Sequence, residues 1–174
     1  MSSSALLSRR ASDRLSGRLR ILLLAAFVSD TGGGLTFPFL LIYLHEARHI
    51  GLSTAGLLIG AVFVVGLPAG PVAGALVDRV GPRPVALTCL SVQAIGTAAL
   101  TLVHSPVSAI VPVAILGLGQ GASWPAWFAI LGAAAGEDTP RPRLFARSFQ
   151  LLNLGLGVGS VIGGLVVRVS APGT

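Results

Sequence analysis

Along this chain the apolar residues come in long unbroken runs, and the polar residues collect in the short gaps between them. Five runs stand out, at about residues 21–44, 52–77, 85–103, 107–135 and 144–167. A hydrocarbon layer about 30 Å thick is crossed by roughly 20 helical residues, and backbone groups inside it must bond within their own helix. Each run therefore predicts a membrane-spanning helix. The gaps HEARHIG, DRVGPRP, HSPVS and GEDTPRPR carry the proline, glycine and charge that interrupt helices. Links this short predict antiparallel neighbours, hence an all-α membrane bundle over residues 20–168. Residues 1–19, rich in serine and arginine, read as a disordered arm able to touch anionic headgroups, and 169–174 as a C-terminal tail.

Composition agrees with a chain whose surface meets lipid. It is 53% hydrophobic and 10% charged and has no lysine, where a soluble domain has about a quarter of its residues charged. The net charge of +6 does not point to nucleic acid, because the arginines sit in separate patches without interleaved aromatics. Their placement instead sets orientation. Arg9, Arg10, Arg14, Arg18, Arg20, Arg79, Arg83, Arg141, Arg143 and Arg147 fall on one side of the expected spans, and Arg48 and Arg168 on the other. The arginine-rich side predicts a cytoplasmic N-terminus in a cell inner membrane. An arginine-rich start followed by ILLLAAFV allows a cleaved signal peptide, but hydrophobicity resumes through LTFPFLLIYL and favours a retained span.

Helix contacts in lipid rely on small residues. Gly56 and Gly60, then Gly66, Gly70 and Gly74, follow one another at intervals of four in the second run; Gly117 and Gly121 do so in the fourth, and Gly155, Gly159 and Gly163 in the fifth. These stripes predict helix contact faces. Pro38, Pro68, Pro71 and Pro125 each remove a backbone donor inside a run and predict bends.

Few residues suggest chemistry. Asp30 lies about ten residues into the first run, about 15 Å from its start at 1.5 Å per residue, a depth at which a carboxyl is costly and faces a cavity or partner. It is a candidate proton or cation-substrate site, with a hydrogen bond to Thr31 or a neighbouring helix as the structural reading. HEARH, with His45, Glu46 and His49, matches a zinc-protease pattern on paper, yet falls in a short surface turn with no third ligand in sight. GLGVGS, residues 155–160, has dinucleotide-loop spacing but no preceding strand. Cys89 has no cysteine partner. Neither a metal, a cofactor nor an enzymatic activity is expected.

The DRVGPRP gap then becomes specific. Gly74, Leu76, Asp78, Arg79, Gly81 and Arg83 resemble the G-x-L-x-D-R-x-G-R-R loop between the second and third helices of the major facilitator superfamily, with Pro82 at one usual basic position. Gly155, Gly159, Gly163 and Gly164 resemble the G-x-x-x-G-P-x-x-G-G pattern of its drug:proton antiporter branch, with Ser160 in place of proline. Asp30 with Pro38 is similar to the acidic residue and proline in the first helix of multidrug members. Gln120-Gly121 resembles part of the proton-linked motif of the fourth helix, where Gly117 replaces an arginine.

The resemblance implies a secondary transporter, of which this chain is an amino-terminal portion: five helices of an incomplete N-terminal six-helix half. It implies proton-coupled efflux of small or amphipathic molecules, a gating role for Gly74, Asp78, Arg79, Gly81 and Arg83, and cavity contacts from Asp30, Gln120, Trp124 and Asn153. Pro38, Gly155, Gly159, Gly163 and Gly164 would serve packing or bending. Expected partners are a small-molecule substrate, protons and the bilayer, with a C-terminal half or another chain required for transport. The competing expectation is a truncated, non-transporting membrane protein or a small membrane scaffold.

Overall fold

The computed structural model describes residues 17–135 and 141–170. Among these the fold is all-α, without strands: α1 (Gly17–Ile42), continued by a π-helical turn (Tyr43–Ala47), α2 (Leu52–Val80), α3 (Pro82–Ala99), finished by a 3-10 turn (Leu100–Leu102), α4 (Pro106–Ala134) and α5 (Arg141–Ser170). All five α-helices are long and apolar enough to cross a membrane.

Helix boundaries differ in places from the sequence expectation. α1 starts at Gly17, inside the segment expected as a disordered arm, and Leu19 is already buried. Residues 1–16 lie outside the described residues, as do the 136–140 part of the GEDTPRPR gap and 171–174 of the expected tail. The first three residues of HEARHIG, His45 to Ala47, are wound into the π turn. Of DRVGPRP only Gly81 lies outside a helix.

Local chemistry explains how α2 turns into α3 across one residue. Gly81 has φ 86° and ψ 162°, a backbone region that a side chain makes costly and that glycine occupies freely. α3 begins Pro82-Arg83-Pro84, so two of the four N–H groups that a helix start leaves unbonded do not exist. The helix needs no capping side chain, and it has none.

The described residues divide into two compact units. One is Pro38–Ile130, which holds α2, α3 and most of α4. Here α2 buries Ala55, Leu58, Val62, Gly66, Ala69 and Ala73, a stripe in steps of three and four. Its other faces carry Leu57 and Leu67, both more than 70% exposed. Gly66, Ala69 and Ala73 pack inward beside Leu58 and Val62, while large apolar side chains also face outward, as expected where lipid replaces water. Gly66 meets α4: a Cβ built there would lie 2.9 Å from the Gly117 carbonyl oxygen, and one on Gly117 would lie 2.5 Å from the Val62 carbonyl oxygen. A Cβ on Gly121 would fall onto the Gly66 carbonyl. α3 meets α4 through Gly96, whose Cβ would lie 2.7 Å from the Leu116 nitrogen, and through Gly119, against Gln93 and Cys89. Ala73, Val85, Cys89 and Ala126 close the core below.

The expectation that the α2 glycine stripe marks a contact face holds at Gly66 but not along the whole stripe. Gly56, Gly60 and Gly74 have open space where a Cβ would go, and Gly70 makes only ordinary contact. An interval of four advances about 40° beyond a full turn, so a strict four-residue series walks off the buried face. Gly66 is the member that lies on it.

The other unit combines α1 up to Phe37 with α5 and the end of α4. α1 and α5 touch along their backbones. A Cβ on Gly155 would lie 2.9 Å from the Phe27 carbonyl oxygen; those on Gly34 and Gly159 would fall onto the carbonyls of Leu156 and Thr31. Ser160 Oγ lies 3.3 Å from the Gly34 carbonyl oxygen across the same seam, with its shorter bond, 2.8 Å, to Leu156 of its own helix. Gly163 is buried and Gly164 half-buried.

Candidate functional site

The charged turn between α2 and α3 is built by the end of one helix and the start of the next. Asp78 and Arg79 occupy the last turn of α2, and Arg83 the first turn of α3. All three are exposed, and no ion pair joins any of them to another described residue. Arg79 is well placed for the negative end of the α2 dipole. Gly81 donates its N–H to the Val77 carbonyl at 2.9 Å, completing the helix before the reversal. Gly74, one turn above Asp78, is half-buried with nothing against its α-carbon face.

Asp30 sits in the α1–α5 unit, half-buried. Its Cβ lies 3.0 Å from where a Cβ on Gly155 would be, so the missing side chain at 155 makes room for the carboxyl-bearing turn of α1. The neighbouring Thr31 hydroxyl donates to the Phe27 carbonyl at 2.7 Å, a bond within α1 that leaves Asp30 unengaged by it. Asn153 is on α5 in the same unit; it is exposed and donates from Nδ2 to the Phe149 carbonyl at 2.8 Å. Pro38, which begins the other unit, is exposed.

Gln120 and Trp124 lie one turn apart on α4 in the Pro38–Ile130 unit. Gln120 is half-buried; Trp124 is 42% exposed and tilts against Phe128, ring centroids 5.7 Å apart. The four candidate cavity residues thus fall two to each unit, with Gln120 and Trp124 brought together by helix periodicity.

Two polar groupings were missed by the sequence reading. Gln93 of α3 donates from Nε2 to Ser123 Oγ at 2.7 Å and to the Gly119 carbonyl at 3.1 Å, both on α4. Ser123 also reaches the Gly119 and Gln120 carbonyls, each at 2.9 Å. A glutamine in an apolar run was the available signal, since an amide in lipid seeks a partner. At the opposite end of α3, the Tyr43 hydroxyl donates to the Leu100 carbonyl at 3.0 Å and accepts from Arg48 Nε at 2.7 Å. Arg48 also donates to the Thr101 carbonyl and stands 5.1 Å from the Tyr43 ring centre. The cation therefore meets the carbonyl end of α3, where a helix dipole favours it. From sequence, Arg48 counted only toward orientation.

The HEARH histidines do not share a helix face. His45 belongs to the π turn, with Nδ1 2.9 Å from the Ile50 carbonyl oxygen, while His49 lies beyond its end with φ 54°.

Comparison with known proteins agrees with this architecture. The model of the Major Facilitator Superfamily matches residues 22–173. The chain is similar to the uncharacterized MFS-type transporter YttB of Bacillus subtilis (strain 168), 27% identical over 152 residues that cover 87% of this chain and 38% of that protein. It is also similar to the uncharacterized MFS-type transporter YdeE of Escherichia coli (strain K12), 27% identical over 158 residues covering 86% of this chain and 38% of that one. The chain spans 38% of the length of these curated relatives. Five span-capable helices, with a family match over nearly their whole extent, make this a multi-pass membrane protein that belongs to the Major Facilitator Superfamily.

Proposed function

We propose that this chain forms part of a secondary active transporter, one that exports small or amphipathic molecules in exchange for protons. The observation that carries the proposal is Asp30: a carboxyl midway along an apolar helix, half-buried and seated beside a glycine of α5, in a chain of a transporter family. An acid at that depth is costly to keep unless its protonation or its charge is used. Gln120, Trp124 and Asn153 would contact the substrate. The Gly74-to-Arg83 segment would act as a gate, with Asp78 drawn to positive charge in one state and released in the other. The arginine bias, ten on one side of the expected spans against two on the other, supports a cytoplasmic N-terminus and Gly81 turn, with the inner membrane as the proposed location. Because the matched relatives are far longer, transport would require further helices, from the same polypeptide or another.

The test is efflux of a lipophilic cation from proteoliposomes holding the full protein, driven by an imposed proton gradient. Asp30→Asn is expected to abolish gradient-driven efflux, and Asp30→Glu to retain part of it. Efflux by Asp30→Asn that still follows the gradient would remove the proton role; absence of flux from the unaltered protein with any gradient would remove the transport reading.

A further inference from the structure

A cleft of about 480 Å³ opens among α2, α3 and α4, entirely within the Pro38–Ile130 unit. Its size is that of clefts, about 300–1,000 Å³, that hold drug-sized ligands. α2 contributes residues from Pro68 to Val80, α3 those from Pro84 to Val92, and α4 the floor from Leu118 to Ala122. Three features select an occupant.

The lining offers almost nothing to a polar solute. Its one hydroxyl, on Thr88, is already donated to the Pro84 carbonyl at 3.0 Å, and Cys89 is buried in the core beneath. The rim is apolar as well, because Val72 and Val80 line the cleft and are each about three-fifths exposed. In a bilayer the medium against such a surface is acyl chain. Finally, Val80 and Pro84 end the cleft beside Arg79 and Arg83. Both guanidinium groups are exposed and neither is paired with a described acid.

We infer that the cleft seats one acyl chain of an anionic phospholipid whose phosphate is held by Arg79 and Arg83. Acyl chains gain little by leaving one apolar medium for another, so preference between lipids resides in the headgroup contact, and the cleft fixes where the headgroup stands. The inference requires only a membrane-embedded chain and is independent of whether the protein transports.

The experiment places the full protein in nanodiscs of dioleoylphosphatidylcholine with a minor fraction of dioleoylphosphatidylglycerol, then identifies retained lipid by native mass spectrometry. Phosphatidylglycerol is expected to be enriched over its bulk fraction. Arg79→Gln and Arg83→Gln should each cut that enrichment about five-fold, the equivalent of one basic side chain at an anionic surface, while Arg141→Gln with Arg143→Gln leaves it unchanged. Thr88→Phe, at an exposed position that fills the cleft without disturbing the core, should lower retention of both lipids. Added salt should erase the headgroup preference of the unaltered protein but not lipid retention itself, a readout that needs no variant to fold. No enrichment, enrichment indifferent to salt and to both arginines, or retention indifferent to Thr88→Phe would each overturn the inference. A dimer that Thr88→Phe dissociates would assign the cleft to a second copy instead.

Discussion

The Gln93 side chain joins α3 to α4 by a 2.7 Å hydrogen bond to Ser123 Oγ, a link between two apolar helices made by an amide and a hydroxyl. Because the same amide reaches the Gly119 carbonyl, removing Ser123 leaves it one partner, whereas removing Gln93 severs both contacts. Hydrogen bonds between membrane helices contribute about 0.6 kcal/mol on average and at most about 1.7. Gln93→Leu should therefore cost on the order of 1 kcal/mol in detergent unfolding, and Ser123→Ala less. A double-mutant cycle with zero coupling would show that the contact does not join the helices.

The glycine contacts give a sharper contrast. Gly121→Ala and Gly159→Ala each drive a methyl group into a carbonyl of the facing helix, and overpacking of this kind costs about 1–3 kcal/mol. Gly56→Ala and Gly157→Ala meet open space and gain up to about 1 kcal/mol of helix propensity. The first pair should lower the unfolding midpoint and the second should hold or raise it. Equal effects in the two pairs would contradict the packing described.

At the α2–α3 turn, geometry and charge are separable. Gly81→Ala places a side chain where φ is 86° and ψ 162°, at a cost of about 1–3 kcal/mol, to be read as lost stability. Asp78→Asn keeps size and backbone. In the full protein it should leave substrate affinity within about two-fold while reducing flux about ten-fold or more, the signature of a barrier to interconversion raised by about 1.4 kcal/mol. Loss of affinity with unchanged turnover would remove the gating role.

Arg48 and Tyr43 fasten the carbonyl end of α3. A net hydrogen bond contributes about 1 kcal/mol, so Tyr43→Phe should speed amide exchange at residues 100–103 about five-fold, and Arg48→Ala more. Arg48→Lys should not restore protection, because an ammonium lacks the fork that reaches both Tyr43 and Thr101. Unchanged exchange in Arg48→Ala would show that the fastening is not needed.

The all-α membrane class was legible because it rests on local composition: run length for the helices, and proline, glycine and charge for the gaps between them. The charged turn could be picked out for the same reason. What escaped was two-body information. Gln93 looked like any polar residue in an apolar run until Ser123 stood opposite it. Arg48 looked like a topological counter until the winding of Tyr43–Ala47 carried it to the end of α3. The four-residue glycine rhythm of α2 overstated its contact face because periodicity alone does not say which turn meets a neighbour. Asp30 could be singled out by chemistry, but its seat beside Gly155 depended on the packing of α1 and α5.

The π turn at Tyr43–Ala47 also affects how this chain should be compared with its relatives. Its backbone bond from Arg48 back to Tyr43 spans five residues rather than four, so one residue is accommodated without lengthening the helix by a full α-helical step. A relative wound as plain α-helix here would carry one residue fewer for the same reach. Aligned without a gap, every position beyond it would be displaced by one, about 100° around the axis. The counterpart of Arg48 should thus be sought by its place at the end of α3, and a one-residue deletion within 43–47 is the natural point at which to find it.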